Sequence, residues 1–121
     1  MDTAVIRETV RGRWAADSGA ATDGLARLVE IPALSPSFDA EWPTTRQLHA
    51  AVDHVRTYLD ARGFPGASTD VVELPGRTPV LLLDVPATDG ARTDETVVVY
   101  GHLDKQPAAG EWSAGLGPWT P

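Results

Sequence analysis

Residues 97–100 are three valines and a tyrosine, and they run directly into Gly101, His102, Leu103 and Asp104. A short β-branched run bounded by glycine has the composition of a strand covered on both faces. Such a strand needs a neighbour on each edge and apolar cover above and below. A fold that contains it is therefore layered α/β, not a helical bundle. The run over 96–101 is expected to be a buried strand, with His102 and Asp104 where it ends. In open α/β sheets, ligands bind just outside the carboxyl ends of strands.

The rest of the chain supplies what such a strand would pack against. Residues 3–16 read as a helix in which Ile6, Val10 and Trp14 form one apolar stripe. Gly19 is expected to end it. Asp23 is placed to cap a second helix with Leu25, Leu28 and Val29 facing inward, closed by Ile31-Pro32. A proline-rich loop, 33–43, follows. Thr44 and Gln47 have capping-box spacing. Leu48, Val52, Val55 and Leu59 repeat at helical spacing, and Gly63 supplies a C-terminal stop. A helix is expected over 44–62. The period then changes to that of strands. Residues 69–74 and 79–85 read as a hairpin around Pro75-Gly76-Arg77-Thr78. A polar connection, 87–95, leads into 96–101, and everything after Gln106 reads as loop.

Net charge is −7, with a single lysine, Lys105, against nine arginines. Nucleic acid and anionic membrane both require clustered cations, so neither is an expected partner. The arginine bias follows base composition. There are no cysteines, which excludes disulfides and thiolate metal sites. The N-terminus lacks the apolar core of a signal peptide, and no segment reaches the length of a membrane span. A cytoplasmic protein is the expectation.

His102 and Asp104 carry the candidate chemistry. Side chains two apart on extended backbone point the same way. A carboxylate so placed can accept the Nδ1–H of the imidazole, which fixes the tautomer and leaves Nε2 for a metal. His102 is thus the candidate metal ligand and Asp104 the candidate catalytic carboxylate, with a heavy-atom contact between them as the expected mark. His49 and His54 are five residues apart, about 140° around a helix. They cannot chelate one ion together and read as solvated or helix-flank histidines. Asp53, Arg56 and Asp60 read as a charged outer face. Trp112 and Trp119 lie in a Pro/Gly-rich loop and read as packing residues.

The longer string resembles the start of the active site in the M20 metallopeptidase family, which includes carnosinases and cytosolic nonspecific dipeptidases. The dipeptidase branch shows YGHxDxQP and then a W-x-x-x-P-[FW]-x-P-like element. Here these are Tyr100, Gly101, His102, Asp104, Gln106 and Pro107, then Trp112, Pro118, Trp119 and Pro121. Ile31, Pro32, Ser35 and Pro36 match an upstream IP-x-x-S-P loop, and the resemblance spans essentially the whole chain. Lys105 departs from it, since an apolar residue is usual there, and it leaves the substrate class open.

The resemblance implies that residues 1–121 are the N-terminal part of a zinc-hydrolase catalytic domain, helices plus a mixed sheet. It implies two zinc ions bridged by a carboxylate and water, with His102 on one zinc and Asp104 orienting His102. The other ligands and a glutamate general base would lie downstream of these residues, so the chain alone is expected to be inactive. The implied reaction is hydrolysis of dipeptides or short peptides. N-acyl amino-acid deacylation or desuccinylation is the runner-up, and Gln106-Pro107 favours the peptidase branch. A non-enzymatic fragment or binding module is the alternative of a different class. The full-length parent is expected to be a homodimer, and the chain by itself to be marginally stable or self-associating.

Overall fold

The computed structural model describes residues 2–88, 90 and 95–121. They form two compact units, Met1–Glu30 with Trp112–Pro121, and Ile31–Glu111. In element order the chain carries α1 (Thr3–Glu30), α2 (Trp42–Thr45), α3 (Gln47–Arg62), β1 (Ser68–Val72) and β2 (Val80–Asp84). No helix among the described residues is long and apolar enough to cross a membrane.

The first unit is built on α1, 28 residues without interruption. Asp2 starts it by accepting the Ala4 N–H on Oδ1 at 2.9 Å, the bond of a capping carboxylate. Gly19 does not end the helix, and Asp23 does not begin another. A terminating glycine adopts positive φ, and Gly19 does not. A glycine inside a helix costs only about 1 kcal/mol relative to alanine, which Ala15, Ala16, Ala20 and Ala21 around it offset. The stop falls at Glu30, ahead of Ile31-Pro32 as expected. The expected inward stripe is not buried. Val10, Trp14 and Leu25 are each more than half exposed, and no residue of α1 is buried. The segment 112–121 folds into two turns, closed by Leu116 N–H to Ser113 C=O and Thr120 N–H to Gly117 C=O.

The second unit holds the core. Leu48, Ala51 and Val52 are buried on one face of α3, and Ala33 joins them among the buried residues. Val55 and Leu59 continue the stripe half-buried, while Asp53, Arg56 and Asp60 stay on the exposed face. The helix packs on the hairpin, whose strands pair antiparallel from Ser68↔Asp84 to Val72↔Val80. Thr69, Val71 and Leu81 are half-buried, and Val71 lies directly across from Leu81. The ladder ends sooner than the apolar pattern does. Pro75 and Pro79 have no N–H to donate, so pairing stops at Val72 and Val80.

The start of α3 differs from expectation. The helix expected over 44–62 is broken at Arg46, which adopts left-handed φ 59° between α2 and α3. The capping box does not form. Thr44 turns its hydroxyl back to the Glu41 carbonyl at 3.0 Å and gives α3 no cap. The C-terminal stop is as expected, with Gly63 at φ 61° and its N–H on the Asp60 carbonyl.

The expected strand over 96–101 is not part of any sheet, so the sheet is two-stranded and antiparallel, not mixed. Val97, Val98, Val99 and Tyr100 are 85–89% exposed. Strand composition describes a fit to a pleated, covered surface, and no strand among the described residues lies alongside to supply one. The polar connection expected over 87–95 falls partly outside the described residues.

Two predictions follow from these features. Arg46→Gly removes an exposed side chain and relieves a left-handed penalty of about 1–2 kcal/mol, against an entropic cost of about 0.5–1 kcal/mol. The expected outcome is a urea midpoint raised by the equivalent of about 0.5–1 kcal/mol at unchanged m-value. Separately, unpaired apolar backbone over 97–100 is a template for strand pairing. Light scattering is expected to show concentration-dependent association, reduced by Val98→Asp. A monomer with one sharp unfolding transition would contradict this.

Candidate functional site

His102 and Asp104 are brought together as their spacing implies. His102 Nδ1 lies 2.9 Å from Asp104 Oδ1 and 3.0 Å from the Asp104 backbone oxygen. Both neighbours are acceptors, so the ring proton sits on Nδ1 and donates to them, and the lone pair is on Nε2. The His102 side chain is 73% exposed and that of Asp104 33%. Nε2 therefore faces outward with no partner among the described residues. The pair forms without the strand that was expected to create it. Two residues two positions apart in sequence can meet through local backbone alone, outside any ladder.

The neighbouring lysine is what ties the pair to the core. The Lys105 N–H donates to the Ala33 carbonyl at 2.8 Å, and the Ser35 N–H donates to the Lys105 carbonyl at 2.8 Å, a parallel bridge between Leu34 and Lys105. The Lys105 ammonium donates to the Ile31 carbonyl. Burial holds this ammonium below the usual lysine value. The sequence marked Lys105 only as a departure from the dipeptidase pattern. Its partners lie some seventy positions upstream (74 for Ile31), a separation that carries no periodic signal.

His102 and Asp104 suit a metal ligand and its orienting carboxylate. A catalytic zinc takes about three protein ligands. No group of three or more histidine, aspartate or glutamate side chains placed to hold an ion occurs among the described residues.

His49 is not solvated. Its side chain is 11% exposed, its ring stacks on Trp42 at 6.4 Å, and Nε2 lies 3.7 Å from Glu73 Oε1. It is a packed residue on the flank of α3, where it meets the chain just after β1. His54 is half-buried on the same helix. Trp119 is half-buried in the turn closed by Gly117 and Thr120, whereas Trp112 is half exposed.

No model of a known protein family matches the chain, and no curated protein matches it.

The Lys105 environment has a consequence for pH. Its folded pKa is lowered, so the unfolded state binds more protons between the folded value and the ordinary lysine value. Stability from this group therefore rises with pH through that window. Lys105 is the only lysine, so the wild-type minus Lys105→Met difference isolates it. The unfolding free-energy difference, measured by urea melts at rising alkaline pH, is expected to move in favour of wild type. A difference independent of pH would contradict the assignment.

Proposed function

We propose that these residues belong to a zinc-dependent amide hydrolase of the M20 metallopeptidase type. The proposed reaction cleaves the peptide bond of dipeptides or short peptides. The observation that carries this reading is the His102–Asp104 contact at 2.9 Å within the string YGHLDKQP, with Nε2 turned outward. A histidine whose Nδ1–H is held by a carboxylate is fixed in the tautomer that a zinc ion needs.

In this reading His102 would hold a zinc ion through Nε2, and Asp104 would keep the ring oriented and its proton on Nδ1. Bound zinc would polarise the scissile carbonyl and lower the pKa of a bound water. The family reading requires further ligands and a general base beyond these two residues. The partner is a small peptide substrate in a cytoplasmic homodimer. Net charge −7 and the lack of clustered cations argue against nucleic acid. The runner-up is deacylation or desuccinylation of N-acyl amino acids. The non-enzymatic alternative, a fragment or binding module, draws on the absence of a three-ligand group among the described residues.

The nucleotide sequence that follows the Pro121 codon tests the family. A continuation with a G-R-G-x-x-D-D-like segment is expected, and a stop or an unrelated frame overturns the reading. The product of a longer frame is expected to cleave dipeptides, with loss of activity on chelation and at least about a hundredfold loss in His102→Ala. Preferential turnover of acylated amino acids moves the assignment to the runner-up. Residues 1–121 alone, with added zinc, are expected to cleave dipeptides no faster than the His102→Ala control.

A further inference from the structure

Lys105 sits where the candidate site meets the folded core, and its bonding is out of proportion to its neighbours'. Two backbone hydrogen bonds tie Lys105 to residues 33 and 35. The residues before the site, 97–100, are almost wholly exposed. What Lys105 grips is, by contrast, well fixed. Ala33 is fully buried, and the Ile31 carbonyl that takes the ammonium also accepts the Ala33 N–H at 2.8 Å.

The peptide group between residues 104 and 105 links this anchor to the imidazole. A trans peptide is planar, with its N–H and C=O pointing to opposite sides. Its N–H is bonded to the Ala33 carbonyl. Its C=O therefore points away from Ala33, and there it meets His102 Nδ1 at 3.0 Å. One rigid plane carries both bonds. Fixing the N–H on the core aims the carbonyl at the ring, and the same fixed backbone carries the Asp104 carboxylate that is the ring's other acceptor.

We infer that Lys105 is the positioning residue of this site: its N–H, its carbonyl and its ammonium, bonded to residues 31–35, hold the 104–105 peptide plane in the orientation that keeps the His102 proton on Nδ1. The ammonium acts through the backbone, by its bond to the Ile31 carbonyl. The geometric claim stands independently of zinc chemistry; that it serves hydrolysis rests on the reading above.

Nitrogen-15 NMR of the chain tests this without metal or substrate, so failure of the hydrolase reading leaves the result interpretable. At a pH well above the ordinary histidine value, wild-type His102 is expected to show a protonated Nδ1 and an unprotonated Nε2. The Lys105 and Ser35 amides are expected to exchange more slowly than those of Val98 and Val99. Lys105→Met keeps the aliphatic stem and removes the ammonium. It is expected to speed exchange at those two amides about tenfold and to move the ring nitrogens toward a mixture of tautomers. Lys105→Arg, which restores a donor, is expected to recover the wild-type pattern. Protected amides in α3 and the hairpin serve as the folding control. If Lys105→Met unfolds the unit, the wild-type comparison of Lys105 and Ser35 with Val98 and Val99 decides. Wild-type amides at Lys105 and Ser35 that exchange as fast as those of Val98, or a folded Lys105→Met with unchanged tautomer and exchange, would overturn the inference.

Discussion

A single stripe on α3 is what the second unit rests on. Leu48, Ala51 and Val52 are buried on it, and Ala33 is the other buried residue of the described core. With so few side chains out of water, each carries a large share of the hydrophobic stabilisation, at roughly 25 cal/mol for each Å² of apolar surface removed. The hairpin packs on the same helix, and Ala33 passes the rigidity of that core on to Lys105 through its carbonyl. The candidate site is thus built outward from the helix, not upward from a sheet.

That dependence explains which features could be read from the residues. The apolar repeat of α3, its stop at Gly63 and the hairpin are each specified within one short window, by side-chain period or by a backbone that only glycine adopts easily. The misreadings occur where a local preference was weak against its surroundings. Gly19 carries a penalty too small to stop a helix flanked by alanines. The Thr44 hydroxyl donates to the Glu41 carbonyl and caps no amide of α3. The left-handed Arg46 has no signature at all, because nothing about an arginine announces positive φ.

The valine run failed for a different reason. Its composition describes a surface on which it would be stable, and the strands that would provide that surface are not among the described residues. The His102–Asp104 pair was legible because it closes over two positions and needs no partner elsewhere. Its attachment was not legible, because Lys105 reaches residues 31–35 by a contact that only folding creates. What the site can do chemically was therefore visible in the sequence at one end, the imidazole, and hidden at the other, the anchor.

Lys105 is also the only ε-amine in the chain. Lysine-directed chemistry on these residues thus falls on the residue that secures the site. Burial disfavours its charged ammonium. Acetylation there would remove the positive charge and leave a single amide N–H for the Ile31 carbonyl. A one-step acylation would accordingly report on the anchor, and the state of the imidazole would register it.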